Sequence, residues 1–396
     1  WPRVNGVTVS VDSFSRALIK QGHRVVIVCS CYPESDRTSK PEDLTVAEPF
    51  SDSEPVLIRV PSIPAFVSKE DRIAKFHKWF WVSKQLDKFK PDILHVNSEF
   101  VIGEFGFYYG KLTKTPVVYT FHTLWEDYFV NYVPFVPDFF LRFVARRLIK
   151  SMAKRADTII APSDQIIDVL KKYKIKRSAY LLPTGIDPDI FDIPTVLVDD
   201  YRLTFEKKYP CVRGKRILMF AGRVGREKNL SFLIQLLPKI LEKSPDCALV
   251  IAGDGPELPF FKKETEEVGV RENCVFTGYL QRKSLAYLYA MSDVFVFPSL
   301  TETQGLVTIE AMLSGTPVVA IGEMGTLATM GGDNGGFMVR NDPEEFAARV
   351  LDLLGDKKLY AAKVADARRH AQSWTIGAMS ARLEEIYRET SKNYGA

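Results

Sequence analysis

Short apolar runs alternate along the chain with longer stretches in which apolar residues recur every three or four positions. The runs predict buried strands, and the longer stretches predict amphipathic helices. In the first half, the predicted strands are 24–30, 56–60, 93–96, 117–120, 158–161 and 179–182, and the predicted helices lie near 8–20, 69–89, 102–113 and 164–172. Because strands and helices alternate, a parallel sheet covered by helices is the economical architecture.

The alternation restarts at 216–221, after a loosely patterned segment at 189–214. Further strands are predicted at 248–252, 275–277, 294–297 and 318–320. The pattern predicts two Rossmann-like domains, 1–187 and 188–376, with a last helix at about 377–396 crossing back to the first domain. A ligand is expected at the carboxyl ends of their strands. The sequence begins with a turn-like segment that leads directly into a helix, so the first strand of the N-terminal domain is expected to be absent from this chain.

Composition narrows the class of protein. The chain has 396 residues, of which 46% are hydrophobic, and this is typical of a globular protein with two full cores. Five cysteines, an odd number in mostly apolar runs, favour reduced thiols in the cytoplasm. The histidines and cysteines lack zinc-site spacing, so no metal and no other cofactor is predicted. No apolar run is long enough to span a bilayer, which excludes an integral membrane protein.

Two glutamates flank a predicted loop and helix start after the strand at 294–297. Glu302 lies in the loop that follows Pro298, and Glu310 is expected about two turns into a helix that begins beside Gly305. A helix N-terminus presents unpaired N–H groups that suit a phosphate. Both glutamates would then face a charged ligand. The alternative is that they are solvated surface residues.

Two cations follow the strand at 216–221. Arg223 and Lys228 are expected at its carboxyl end, close to the start of the next helix. A guanidinium and an ammonium group together could neutralise the charge that develops on a departing phosphate. The alternative is that both are loop charges in water.

Taken together, the motifs of the second half are specific, and they resemble the retaining GT-B glycosyltransferases of family 4. That family includes sucrose-phosphate synthases and phosphatidylinositol mannosyltransferases. The motifs are Gly222-Arg223 with Glu227-Lys228-Asn229, Gly253-Asp254-Gly255-Pro256, Phe297-Pro298-Ser299, Glu302 with Glu310, and Ala311-Met312 with Gly315 and Pro317. The resemblance covers nearly the whole chain and implies a GT-B fold, in which two Rossmann-like domains face each other across a cleft.

The resemblance also implies the donor-binding residues. Arg223 and Lys228 would bind the donor diphosphate, and Glu310 would bind the ribose hydroxyls. The sugar and phosphates would be contacted by Glu302, Gln304, Gly305 and Leu306. The donor-binding set is completed by Tyr279, Leu280 and, from the other domain, Gly6.

In the first half, the segment 119–128 resembles the acceptor-side motif of bacterial diacylglycerol glucosyltransferases. By that resemblance, His122 contacts the donor sugar or the acceptor and joins Glu302 in the catalytic set, with Asn5 and Glu126 on the acceptor side. The sequence does not choose between these roles for His122. Without the resemblance, a single histidine there is more often an ordinary loop or core residue.

A basic amphipathic helix is predicted over 139–155, with six positive side chains and no acidic one. The segment 69–90 has a similar mixture of basic and aromatic residues. Such segments can lie on anionic lipid. The expected acceptor and membrane contacts are Trp79, Trp81, Arg142, Arg146, Arg147 and Lys150. The alternative is that the apolar faces pack on the sheet. The net charge is only +4, so the basic character is local.

The combined expectation is a retaining hexosyltransferase on the inner face of the cell membrane, as a peripheral protein. It would move glucose from UDP-glucose to diacylglycerol or a related lipid by same-face displacement, with no nucleic-acid partner. One alternative is a soluble acceptor, such as a sugar phosphate or small alcohol. Another is a catalytically silent protein of the same fold that binds sugar nucleotide or lipid.

Overall fold

The computed structural model describes residues 6–32, 53–64, 72–122, 137–302 and 304–395. The chain divides into two units. One comprises Trp1–Gly185 and Ile376–Ala396, and the other comprises Ile186–Thr375. Both are α/β, as predicted, and each is described separately below.

Parallel strands dominate the first unit. Its strands are β1 (Val26–Ser30), β2 (Val56–Val60), β3 (Ser62–Pro64), β4 (Arg72–Ala74), β5 (Leu94–Val96), β6 (Val117–Thr120), β7 (Thr158–Ala161) and β8 (Ala179–Leu181). β5, β6, β7 and β8 form a parallel sheet in chain order, β1 pairs with β2 in parallel, and β3 pairs with β4 in antiparallel orientation. The helices are α1 (Gly6–Lys20), α2 (Trp79–Phe89), α3 (Val101–Thr113), α4 (Asp138–Arg155) and α5 (Asp164–Lys172), and Phe76–Lys78 form a 3₁₀ turn.

The second unit contains a six-stranded parallel sheet in the order β11-β10-β9-β12-β13-β14. Its strands are β9 (Arg216–Ala221), β10 (Cys247–Ala252), β11 (Cys274–Gly278), β12 (Val294–Phe297), β13 (Val318–Ile321) and β14 (Gly336–Val339). All residues of β10, β12 and β13 are buried, which explains their uninterrupted apolar sequences. The strand order reverses between β9 and β12, and ligands of doubly wound sheets bind at such a point.

Eight helices follow one another in the described part of the second unit. They are α6 (Thr195–Lys208), α7 (Leu230–Lys243), α8 (Leu258–Glu267), α9 (Arg282–Ala290), α10 (Leu306–Leu313), α11 (Met324–Met330), α12 (Pro343–Gly355) and α13 (Lys357–Ala371). Short 3₁₀ turns occupy Pro188–Ile190, Pro210–Val212, Arg226–Lys228, Arg271–Asn273 and Gln372–Trp374. The side chains of Asp342 and Asp356 cap the starts of α12 and α13 by accepting backbone N–H bonds.

The final helix, α14 (Ile376–Asn393), belongs to the first unit. Its Leu383 and Ile386 are fully buried and pack with Val118 of β6 and Ile160 of β7. Among the residues that the structure describes, none of the helices has the length and apolar character needed to cross a bilayer.

The helix predicted near 69–89 is partly wrong, and the sequence does not predict a helix in the segment 189–214. Part of the predicted helix 69–89 is strand β4, and α2 begins only at Trp79. The Arg72 guanidinium donates to the hydroxyl and carbonyl oxygens of Ser62 at 2.9 Å each, so long-range pairing overrides the helical pattern. The loosely patterned segment 189–214 contains α6. This helix is held by aromatic contacts such as Tyr201 stacked on Tyr287 at 5.1 Å, which leave little apolar periodicity in the sequence.

Candidate active site

Two loops meet where the strand order of the second unit reverses. The loop 222–229 follows β9, and the loop 298–305 follows β12. Contacts between described residues of the two loops include the following three. Asn229 Nδ2 donates to the carbonyl oxygen of Pro298 at 3.2 Å, and Thr301 Oγ1 donates to that of Glu227 at 3.2 Å. The third contact is an ion pair between Lys228 Nζ and Glu302 Oε2 at 2.7 Å. The structure thus brings together two residues that the sequence predicts for the same site.

The two predicted diphosphate ligands differ in their surroundings. The side chains of Lys228 and Glu302 are only 15% and 20% exposed, so their ion pair is shielded from water. Arg223 is exposed, and its guanidinium has no ion pair with any residue in the described part of the chain. An incoming anion would therefore meet Arg223 directly, whereas it would compete with Glu302 for Lys228.

The loop after β9 approaches the loop after β10 more closely than side chains would permit. A Cβ atom on Gly253 would lie 1.8 Å from the carbonyl oxygen of Gly222, and one on Gly255 would lie 2.2 Å from that of Val224. The backbone N–H of Val224 donates to the carbonyl oxygen of Asp254 at 3.0 Å. These glycines fix the loop that carries Arg223.

Gly305 fixes the second loop at the start of α10. Its φ is +67°, and a Cβ atom there would lie 2.9 Å from the carbonyl oxygen of Gly325. The N–H of Gly325 in turn donates to the carbonyl oxygen of Glu302 at 2.8 Å. The first-turn N–H groups of α10, beginning at Leu306, lie beside this loop and suit an anion. The predicted Gln304 is partly buried in the same loop.

Glu310 lies about one turn into α10 and not two as expected, because the helix begins at Leu306. Its carboxylate is 14% exposed. It accepts a hydrogen bond from the Tyr289 hydroxyl at 3.3 Å and lies 3.5 Å from the Arg282 guanidinium. Burial raises the pKa of Glu310, and Arg282 and Tyr289 oppose the rise. Two side chains of α9 therefore hold the Glu310 carboxylate in place.

Tyr279 and Leu280 follow β11 on the same sheet edge. The Tyr279 ring is 78% exposed, whereas Leu280 packs partly buried against the core. The sequence interpretation missed Arg282 and Tyr289. They precede Glu310 by 28 and 21 residues, and only the order of the strands brings α9 against α10.

In the first unit, His122 follows β6 and Asn97 follows the neighbouring strand β5. His122 Nε2 lies 2.9 Å from Asn97 Oδ1. Both residues line a small cavity of about 10 Å³, room for about one water molecule. The other polar lining residues are Ser10, His95, Thr120 and Thr184. Asn97 was missed, although its place after β5 matches that of His122 after β6.

His95 lies beneath this cavity within β5. Its Nδ1 and Nε2 atoms each lie 2.6 Å from a hydroxyl oxygen, that of Tyr387 in α14 and that of Thr120, respectively. Burial, with a smaller contribution from His122, lowers the pKa of His95 to about 3. Burial also lowers the pKa of His122 to about 4. Both imidazoles are neutral at physiological pH.

The predicted basic helix is α4, and it has two faces. Ala145, Ile149 and Met152 are buried against the sheet, as the alternative interpretation expects. The other face of α4 exposes four apolar side chains to solvent. Phe139, Phe140, Phe143 and Val144 are 77%, 51%, 54% and 40% exposed. The Arg147 guanidinium lies 5.8 Å from the centre of the Phe143 ring, and that of Arg146 lies 5.9 Å from the Tyr173 ring. Lys150 is exposed and Arg142 is partly buried.

The remaining predicted residues have mixed positions. Trp79 packs edge-on against Tyr108 at 4.3 Å and Trp81 contacts the core, so neither is the exposed aromatic residue of this segment. Phe76 and Phe80 are exposed instead, at 69% and 60%.

Gly6 is the first residue of α1. Asn5 and Glu126 lie outside the described residues. In the described ranges, no group of three or more His, Cys, Asp or Glu side chains could hold a metal ion.

This fold, α/β with parallel sheets in two Rossmann-like units, is that of the GT-B glycosyltransferases. HepE of Anabaena, solved in complex with UDP, superposes with a TM-score of 0.73 over 98% of each chain at 17% identity. Residues 4–190 match the family described as Glycosyltransferase Family 4, and residues 202–370 match Glycosyl transferases group 1. The chain belongs to this glycosyltransferase family.

The names of two relatives describe different things: one names the glycolipid that it makes, and the other names its donor, GDP-mannose. Alpha-monoglucosyldiacylglycerol synthase of Streptococcus pneumoniae is 31% identical over 325 residues, which cover 81% of this chain and 69% of that protein. GDP-mannose-dependent alpha-mannosyltransferase of Mycolicibacterium smegmatis is 28% identical over 387 residues, which cover 95% of this chain and 92% of that protein.

Proposed function

We propose that this glycosyltransferase moves glucose from UDP-glucose to diacylglycerol or a related membrane lipid, with retention of anomeric configuration. The proposed donor site is supported by the contacts between the loops 222–229 and 298–305, which lie where the strand order reverses. Arg223 and Lys228 would neutralise the diphosphate there, so that no metal is required. Glu310 would bind the ribose hydroxyls. The exposed Tyr279 ring, Leu280 and the α10 start would complete the donor contacts.

The proposed chemistry is a same-face displacement. The bond between the anomeric carbon and the donor phosphate breaks, the acceptor oxygen bonds to that carbon from the same face, and the leaving phosphate takes the acceptor proton. Glu302 would orient the sugar and not attack it, since its carboxylate is already paired with Lys228. Mass spectrometry of the protein during turnover tests this step: a stable glycosyl adduct on any carboxylate would contradict it.

The lipid acceptor is supported by the relative that is named as a glucosyldiacylglycerol synthase and by the outer face of α4. Exposed phenylalanines beside basic side chains suit an anionic bilayer, with the rings in the interface and the charges at the headgroups. We place the protein at the cytoplasmic membrane face as a peripheral enzyme. Gly6 and Asn5, with Glu126, are proposed to complete the donor and acceptor contacts.

Donor and acceptor are tested together. UDP- and GDP-sugars are offered with a lipid extract, with and without EDTA, and products are read by mass spectrometry. We expect a glucosylated diacylglycerol from UDP-glucose in both conditions. Transfer from GDP-mannose alone would overturn the donor assignment, and loss of transfer in EDTA would overturn metal independence. Transfer only to a soluble sugar phosphate would favour the alternative acceptor. Donor binding without any transfer would favour a silent binding protein.

Vesicle binding tests the membrane surface directly. Each basic side chain near an anionic surface contributes about 1 kcal/mol. Arg147→Ala with Lys150→Ala should therefore weaken binding to phosphatidylglycerol vesicles by about 30-fold. Lys172→Ala with Lys176→Ala, which removes two exposed charges at and just beyond the end of α5 in the same unit, is the matched control and should have little effect. Equal losses in both variants would point to net charge and contradict a role for α4.

A further inference from the structure

The orientation of the Asn97 side chain is fixed by two partners of different chemistry. Oδ1 lies 2.9 Å from Nε2 of His122, and Nδ2 lies 3.3 Å from the backbone carbonyl oxygen of His95. A carbonyl oxygen can only accept a hydrogen bond, so the amide NH₂ must face His95. The carbonyl oxygen of the Asn97 side chain must then face His122.

This orientation determines which nitrogen of His122 carries the hydrogen. Oδ1 of Asn97 can only accept, so Nε2 of His122 must be protonated. In a neutral imidazole the other nitrogen, Nδ1, then has a free lone pair. In the described ranges, no residue hydrogen-bonds Nδ1 of His122. The ring thus presents a hydrogen-bond acceptor on the side away from Asn97.

We propose that Asn97 is a positioning residue that holds neutral His122 in the Nε2–H tautomer, so that Nδ1 accepts a hydrogen bond from a substrate hydroxyl. This inference rests on the proposed function, because the hydroxyl would belong to the sugar or to the acceptor alcohol. It also narrows the role of His122, since a nitrogen without hydrogen can receive a hydrogen bond but cannot donate one. His122 therefore orients a hydroxyl and does not protonate the leaving group.

Among the described residues, those that line the cavity beside His122 contribute little charge. His95 faces it from β5, and burial keeps that imidazole neutral as well, with a pKa of about 3. The other described residues that line the cavity are Ser10 and Phe14 from α1, Thr120 from β6, Ile160 and Pro162 from the β7 end, and Leu182 and Thr184 from the β8 end. None of them titrates near neutral pH. A carboxylate placed at position 97 would therefore act on His122 without a competing charge from this lining.

Nuclear magnetic resonance can read the tautomer without substrate. The chain has five histidines, so selective ¹⁵N labelling gives five imidazoles, and His122→Gln identifies the signals of His122. In the wild type we expect the Nε2–H tautomer and a pKa well below 6.5. Asn97→Asp should raise the pKa of His122 by more than one unit, because a carboxylate stabilises the imidazolium. Asn97→Leu should let both tautomers populate. An unchanged signal from His23, whose ring lies 3.3 Å from Glu384 of α14 in the same unit, shows that the first unit of each variant is folded.

Transfer assays then separate this inference from the proposed function. In Asn97→Asp the acidic limb of the pH–rate profile should move to higher pH by the same amount as the His122 pKa. UDP affinity should remain unchanged. An Nδ1–H tautomer in the wild type, or a profile that stays in place while the pKa moves, would overturn the role of Asn97. Failure of wild-type transfer from UDP-glucose to lipid would overturn the proposed function, whereas the tautomer is measured independently.

Discussion

The polar sites of the two units occupy equivalent places but are built differently. Both lie at the carboxyl ends of parallel strands. In the second unit, backbone approaches at Gly253 and Gly305 and the ion pair of Lys228 fix the loops. In the first unit, side-chain hydrogen bonds orient the neutral imidazoles of His95 and His122. A multiply charged diphosphate requires fixed cations and N–H groups, whereas a hydroxyl group requires one correctly oriented lone pair.

The comparison predicts different weaknesses. The site of the second unit should lose activity when a charged side chain is removed or when a glycine of its loops gains a Cβ atom. The first unit should respond to protons, since its neutral histidines are buried.

Lys228→Met should have the largest effect. If the Lys228 ammonium group stabilises the leaving diphosphate, as we propose, its loss should lower kcat/KM for the nucleotide sugar by about 10²–10³-fold. Arg226→Met in the same loop is the matched control, because its side chain is 81% exposed and pairs with Glu257 at 3.2 Å. We expect at most a few-fold loss there. Comparable losses would mean that general loop charge matters, and not the ammonium beside Glu302. Thermal unfolding checks that both variants fold.

Gly305→Ala should have the next largest effect. Gly214 has nearly the same φ, +66° against +67°, but a Cβ atom there would meet nothing within 4 Å. Gly214→Ala should therefore cost only the backbone strain, about 1 kcal/mol. Gly305→Ala adds a contact with the carbonyl oxygen of Gly325 and should lower the free energy of unfolding by about 2–4 kcal/mol, with weaker UDP binding. Denaturant unfolding measures both, and equal losses would show that the close approach has no energetic weight.

Acidification should have a graded effect on the first unit, small near pH 6 and larger at lower pH. The folded state holds His95 and His122 with pKa values of about 3 and about 4, below the ordinary 6.5, so the unfolded chain binds protons first. The two neutral histidines therefore make their full contribution to the free energy of unfolding above pH 6.5. It falls as the pH drops towards 4, by up to about 1.4 kcal/mol per pH unit for each histidine.

Hydrogen exchange in β5 and β6, measured against β9 and β12, would locate this loss. His95→Gln should flatten the slope in the first unit, because an amide can replace the hydrogen bonds without taking a proton. A slope that is unchanged in this variant would contradict the assignment to His95.

The sequence predicts five of the six strands of the second unit, because most of their residues are buried and form apolar runs, but it does not predict β14. β9 and β12 have the predicted bounds, and so do β6 and β7 of the first unit. Prediction from the sequence fails where contacts between separate segments decide the structure. β4 pairs with β3 and is supported by bonds between Arg72 and Ser62, and α6 is held by aromatic stacking. The family is also readable from the sequence, because its motifs are local.

The supporting residues of the sites are much harder to predict. Asn97 and His122 are 25 positions apart, and Tyr289 and Glu310 are 21 apart, so neither pair forms a motif. Adjacent strands bring the first pair together and packing of α9 on α10 the second. Exposure is equally hard to derive, since α2 turns Phe80 outward and Trp79 inward although both are apolar and adjacent.

The position of α14 sets the order in which the units can be finished during synthesis. This helix follows the entire second unit in the chain, yet its Leu383 and Ile386 fill the core beside β6 and β7, and its Tyr387 contacts His95. A ribosome making the chain from the N-terminus therefore releases the whole second unit before this part of the first can close. Until then, the apolar surface around Val118 and Ile160 stays open to solvent or to a chaperone. The unit that begins first is completed last.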